Sequence, residues 1–313
     1  MTAGTAPDRV RASAPAKINL HLGVGSVRPD GFHPLATIYQ AIGLLDTVTV
    51  APASQWSVTV AGDERLTLCD VPTDGSNIAL RAARLLAEHA RVDAAVDVTI
   101  DKGIPVAGGL AGGSADAAAT LVACDALWQL GTPREELGLL AAELGSDVPF
   151  ALVGGTAIGT GRGELVVPAM VRGDYWWVVA ASRAGLSTPA VYAEFDLLST
   201  GLGLGDPEIP DEVMEALRAH DLEKLALGLH NDLEPAALRL RPDLSDVLAT
   251  GIEETAIGAL LSGSGPSCLF LCSGREHAQQ VAHAVRSVGD GPVSVARGPV
   301  PGARVERFGE GGS

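Results

Sequence analysis

Basic charge is scarce in this chain, as are cysteine patterns and long apolar runs. Lys and Arg total 22 against 38 Asp and Glu, a net charge of −16. The basic residues form no cluster, which excludes nucleic acid and an anionic membrane surface as general partners. Any phosphate-bearing molecule must then be held locally, by backbone amides and a few chosen cations. The four cysteines are Cys69, Cys124, Cys268 and Cys272. Only the last two lie near each other, in "CLFLC", and no histidine or second pair completes a zinc pattern. They read as reduced cysteines of a cytoplasmic core. No run reaches the eighteen apolar residues of a membrane span. The stretch from Met1 to Lys17 has no apolar segment of the secretory type. The expectation is a cytoplasmic protein whose partners are small molecules.

What is present suits a folded enzyme. Apolar residues make up 47% of 313, enough for a sizeable core and more readily for two domains than one. Strand texture dominates the front: Val10 to Val24, then "LLDTVTVAP", "WSVTVAG" and "VDVTIDK". In the first strand, period two puts Ile18, Leu20 and Leu22 on one face and Lys17, Asn19 and His21 on the other. Asn77 can cap a helix through "IALRAARLLAEHA". Ser114 is placed to cap "ADAAATLVACDALWQL", and Thr132-Pro133-Arg134-Glu135 has capping-box form, with Gly145 as terminator. Ser146 and Asp147 open a short helix stopped by Gly154 and Gly155. The later half begins near "YWWVVAAS" and ends in strand, glycine turn, strand, helix, strand. Strands and helices in blocks predict an α+β fold, divided at 1–170 and 171–313.

The stretch "IPVAGGLAGGSADAAATL" resembles a phosphate loop, yet it lacks the lysine that a Walker loop carries. Glycines leading into a helix leave first-turn amides unpaired and aimed outward, with the helix dipole adding positive potential. A flexible connector is the plain alternative. The second glycine element, "SGSGPSC", reads equally as a hairpin turn or as a place of close approach to a ligand. "GTGRGE" reads as a strand-and-turn piece. Asp147 suits an N-cap or an acid–base role. Lys17, the one lysine in the first hundred residues, suits a sheet edge unless Asp147 meets it.

Taken together, "PAKINLHLGV", "PVAGGLAGGSADAAA" and "LLSGSGPSC" resemble, in order, the three motifs of the GHMP kinases, from about Ala14 to about Cys272. "RPDGFHPL" and "LGSDVPF" resemble the branch whose acceptor carries a cytidine diphosphate. The resemblance implies a two-domain fold with the site in the cleft between domains, and ATP with Mg²⁺ as cofactors. It implies ATP contacts at Asn77, Lys102, Pro105, Val106, Ala107, Gly108, Gly109, Leu110, Ala111, Gly112, Gly113 and Ser114. Asp147 becomes the catalytic residue, with Lys17 beside it. Asn19, Phe32, His33, Thr188, Tyr192, Gly263, Ser264 and Gly265 become acceptor contacts; Phe32 and Tyr192 stack on the base and His33 reads its edge. Three features depart from the family pattern. Ala107 and Ala111 stand where glycine is frequent, Asp116 lies in the following helix's first turn, and Phe32 replaces a common tyrosine. Two other readings are a kinase of another small alcohol, such as mevalonate or homoserine, and a non-catalytic nucleotide sensor on the same fold.

Overall fold

The computed structural model describes residues 7–106 and 108–306. Ala107, expected in the glycine loop, lies outside the described residues. The chain opens with β1 (Val10–Val24), β2 (Leu35–Ala53), β3 (Ser57–Gly62), α1 (Ile78–Ala90) and β4 (Ala95–Lys102). After the glycine loop come α2 (Gly112–Leu127), α3 (Arg134–Leu144) and α4 (Val148–Val153), then the hairpin β5 (Thr156–Thr160) and β6 (Leu165–Pro168). Next are β7 (Tyr175–Ala180), α5 (Thr188–Leu198), α6 (Asp211–Ala219), α7 (Leu222–Gly228), β8 (His230–Asn231) and α8 (Glu234–Leu240). The last elements are α9 (Leu244–Glu253), β9 (Gly258–Leu261), β10 (Cys268–Cys272), α10 (Arg275–Val285), β11 (Val293–Gly298) and β12 (Arg304–Val305).

Two sheets result, and the fold is α+β. The larger runs β12-β1-β2-β4-β3, with β5 on β2, β6 on β5, and β8 beside β1. The smaller is β11-β7-β10-β9, antiparallel throughout. Strand alternation sorts its side chains: Leu269 and Leu271 enter one core, while Cys268, Phe270 and Cys272 enter the other. Helix α2 lies at the centre of the first core, against α1, β1 and β2. It is apolar nearly all round, and its alanines at 115, 117, 118, 119 and 123 are fully buried. Such a helix belongs inside the molecule. Asn77 caps α1 as expected, its Oδ1 accepting from the Ala79 amide at 2.9 Å. No helix among the described residues is long and apolar enough to cross a membrane.

Four local expectations are corrected. Helix α2 begins at Gly112, two residues before Ser114, because Ala111 turns left-handed (φ 57°) and starts the helix itself. Ser114 therefore sits inside the first turn and caps nothing. Helix α3 starts at Arg134 after Pro133, with no side-chain cap; the Thr132 amide is instead tied back to Asp125 at 2.8 Å. Cys69 is exposed, unlike the other three cysteines. Burial pushes the thiols of Cys268 and Cys272 up to about 12, which keeps them unreactive.

The fourth correction shapes the site. The β1–β2 register shifts between Asn19 and His21, a bulge at Leu20. An extra residue reverses the alternation beyond it. Leu22 therefore lines the cleft beside Lys17 and Asn19, while His21 turns away and packs near His230, ring centroids 5.4 Å apart.

Candidate active site

Lys17 and Asp147, 130 residues apart in sequence, meet in a cleft of about 710 Å³. Their Nζ and Oδ2 atoms are 3.7 Å apart. Each is held by local structure. Lys17 lies on β1, buried, and its ammonium donates to Asn19 Oδ1 at 2.7 Å and to the Gly109 carbonyl at 3.4 Å. It also stands over the Tyr39 ring, 5.6 Å from the centroid. Asn19 is oriented from behind, since its amide donates to Thr37 Oγ1, which donates in turn to the His21 carbonyl. Asp147 occupies the residue before α4 but makes no capping hydrogen bond. Its carboxylate is turned into the cleft instead, which removes the N-cap reading.

The charge of Asp147 is felt by its neighbours. Burial, and then Asp147, push the Tyr39 phenol well above its usual range. Burial and the same carboxylate push Tyr192 up to about 12. Both phenols stay neutral, so they can donate hydrogen bonds without adding negative charge near a phosphate.

Beside this pair the two glycine elements pack on each other. The Ser262 hydroxyl donates to the Gly109 carbonyl at 3.1 Å, and the Leu110 carbonyl accepts from the Lys17 amide. Gly109 has φ +71°, and a Cβ there would lie 2.3 Å from the Ser262 carbonyl oxygen. Only glycine fits that approach. Gly109→Ala is expected to destabilise the fold by more than about 1 kcal/mol and to weaken nucleotide binding, read by thermal denaturation with and without ATP. Ala111 adopts a left-handed conformation without being glycine, so the departure noted in the sequence sits at a strained position. Gly263 and Ser264 line the cleft opposite the loop, and Thr188 Oγ1 meets Ser264 Oγ at 2.8 Å, joining α5 to that turn. The Gly265 amide is spent within the turn, donating to the Ser262 carbonyl.

The same cleft is lined by Phe32, His33 and Tyr192. His33 Nδ1 lies 2.8 Å from the Gly25 carbonyl and donates to it, while Nε2 faces Asp196 Oδ1 at 3.6 Å. The His33 and Tyr192 rings lie 5.0 Å apart. Tyr192 reaches the cleft because Ser187 caps α5 and Pro189 opens its first turn, a helix-start signal present in the sequence and passed over there. Phe32 is half exposed, and one face of its ring is covered by Arg162, 4.8 Å from the centroid. Arg162 was read as part of a plain turn; nothing in "GTGRGE" by itself points it at a cleft.

The residues expected around the nucleotide divide in two. The first-turn residues Gly112, Gly113 and Ser114 are at least partly accessible, and Ser114 makes no side-chain hydrogen bond among the described residues. Pro105 and Gly108 are buried and Val106 half-buried, behind that turn. The amide of Asn77 is committed at both ends, to the α1 cap and to the Pro72 carbonyl. Lys102 is buried beneath Gly112 with its ammonium on Asp46 and on Asp116, the latter at 2.7 Å. Asp116 therefore faces inward and does not oppose a bound phosphate.

Comparison with known proteins gives the family. Residues 77–155 match the GHMP kinases N terminal domain, and residues 213–291 match GHMP kinases C terminal. A 4-diphosphocytidyl-2-C-methyl-D-erythritol kinase from Nocardioides sp. is 53% identical over 94% of this chain and 99% of its own. The enzyme of that name from Thermobifida fusca is 51% identical over 96% and 99%. A crystal structure of 4-(cytidine 5'-diphospho)-2C-methyl-D-erythritol kinase superposes with TM-score 0.74 at 33% identity, over 92% of this chain and 98% of that one. The chain belongs to the GHMP kinase family and, within it, to the 4-diphosphocytidyl-2-C-methyl-D-erythritol kinases.

Proposed function

We propose that this chain transfers the γ-phosphate of ATP to the 2-hydroxyl of 4-diphosphocytidyl-2-C-methyl-D-erythritol, in the methylerythritol phosphate route to isoprenoid precursors. The observation that carries this reading is one cleft lined both by the Lys17–Asp147 pair and by the rings of Phe32, His33 and Tyr192. Phosphoryl transfer asks mainly for positioning and charge compensation. Asp147 accepts the hydroxyl's hydrogen bond and takes its proton as the oxygen bonds to the γ-phosphorus. The bond from that phosphorus to the bridging oxygen breaks, and ADP leaves with its electron pair. Lys17, fixed by Asn19 and Gly109, offsets the negative charge gathered around Asp147 and the moving phosphoryl group.

The amides of Gly112, Gly113 and Ser114 and the dipole of α2 hold the ATP phosphates. That answers the absent Walker lysine: backbone supplies the cradle, and Lys17 arrives from another strand. Among the described residues no group of three His, Cys, Asp or Glu side chains could hold a metal. Mg²⁺ binds mainly to substrate phosphates and keeps several waters, and the Ser114 hydroxyl is the protein ligand it would take. When bound, the ion neutralises phosphate charge. The base stacks on Phe32 and Tyr192, and His33 hydrogen-bonds its edge.

ADP release measured with a panel of alcohols tests the assignment. The cytidine diphosphate alcohol is expected to be strongly preferred over mevalonate and homoserine. Preferred turnover of either of those overturns the acceptor, and no ADP release with any of them favours a nucleotide sensor.

A further inference from the structure

An acceptor with a diphosphate between its base and its reacting hydroxyl needs a second cation in the cleft besides the one paired with Asp147. Lys17 and Arg162 are the lysine and arginine side chains among the lining residues, and Lys17 is committed to Asp147, Asn19 and Gly109. Arg162 is held more loosely. Its guanidinium makes no hydrogen bond among the described residues, and its one ion-pair partner, Glu164, stands 3.6 Å away.

Its position is built. Arg162 sits at the tip of the β5–β6 hairpin between Gly161 (φ +74°) and Gly163 (φ +100°). The Gly161 carbonyl accepts from the Leu35 amide at 2.8 Å, and the Arg162 amide donates to Glu164 Oε2. Gly163 lies against the Tyr39 hydroxyl, so close that a Cβ would come within 2.2 Å of it. That phenol adjoins Asp147; burial first, and then that carboxylate, raise its pKa. The turn thus rests on Tyr39, while the guanidinium lies over Phe32.

We propose that Arg162 binds the diphosphate of the acceptor and so contributes to selecting a nucleotide-linked alcohol over a free one. The proposal rests on the acceptor reading above. A planar guanidinium with uncommitted donors suits two-point contact with phosphate oxygens, and its placement on Phe32 keeps it extended before the acceptor arrives.

Steady-state kinetics and competition by CDP, CMP and cytidine test it in wild type, Arg162→Gln and Arg162→Lys. Arg162→Gln is expected to raise the acceptor KM by about 10- to 100-fold, the range for a charge-assisted contact, with kcat and the ATP KM little changed. Inhibition by CDP weakens by the same factor and inhibition by cytidine stays as in wild type. Arg162→Lys recovers part of the loss, since charge returns without the planar fork. An unchanged acceptor KM in Arg162→Gln overturns the proposal while leaving the acceptor reading intact. Equal loss of CDP and cytidine binding also overturns it, because Arg162 would then serve the base. Wild-type enzyme insensitive to CDP overturns the acceptor reading and this proposal together.

Discussion

Asp147→Asn is expected to keep ATP and acceptor binding while kcat falls by about 10²- to 10⁴-fold, the usual worth of a positioned proton acceptor. The substitution is nearly isosteric, so α4 and the cleft wall are retained. What goes is the negative charge and the ability to take a proton. Because Asp147 makes no capping hydrogen bond, the variant has no helix-stability penalty to confuse the result. Lys17 also stays placed, since Asn19 and Gly109 hold it independently of Asp147. ADP release gives kcat, and calorimetric titration gives the two affinities. Near-normal turnover would show that Asp147 is not the acceptor of the proton. A loss confined to KM would make it a binding residue instead.

Lys102→Met is expected to cost about 3–5 kcal/mol of stability near neutral pH, because it leaves two buried carboxylates without their cation. Lys102 ends β4, Asp46 comes from β2 and Asp116 from the second turn of α2, not the first as the sequence predicts, because α2 begins at Gly112; the cluster ties the phosphate-binding helix to the sheet. Asp46 also holds the start of the glycine loop, accepting from the amides of Gly103 and Ile104 at 2.8 Å each. Burial opposes the charge on Lys102, yet the two carboxylates outweigh it and raise its pKa. Burial pushes Asp116 well above the usual carboxylate range; Lys102 offsets part of that and Asp46 adds to it.

The pH dependence has a defined sign. An acid whose folded pKa lies above its unfolded value binds its proton more tightly when folded. Its favourable contribution is complete below the unfolded value and is lost as pH rises through the folded one. Removing Lys102 removes the cation that makes ionised Asp116 tolerable. The deficit of Lys102→Met against wild type should therefore be larger at about pH 8 than at about pH 5. Denaturant unfolding at the two values checks it, and adding Asp116→Asn to Lys102→Met should recover part of the loss. A deficit independent of pH would show that Lys102 contributes packing rather than charge. The ATP KM of the variant should also rise, because the loop and α2 lose their shared anchor.

Local signals carried much of the fold. The alternation of Val10 to Val24 ends where β1 ends, Asn77 caps α1, Gly145 and Gly154 close α3 and α4, and "SGSGPSC" joins β9 to β10. These depend on φ/ψ preference and on neighbours within a few residues, which sequence records directly. The failures have equally local causes. One inserted residue at Leu20 exchanged His21 for Leu22 in the cleft wall, because period-two reading has no way to mark a bulge. The left-handed turn at Ala111 moved the start of α2 by two residues and put Ser114 inside the first turn instead of at the cap. The short helices α5, α7 and α8 were missed because each buries only one to two apolar side chains, too few to establish a 3.6-residue period.

By itself, then, the sequence determined the ordered glycine elements, the lysine–asparagine strand and the "GSDVPF" aspartate, and with them the family. The tertiary structure alone decided which charges meet. It set Asp147 beside Lys17, left Lys102 to Asp46 and Asp116, and turned Arg162 toward Phe32. Pairings across such separations follow from how sheets and helices close around a core. A residue's neighbours in the chain do not encode its partner in a cleft.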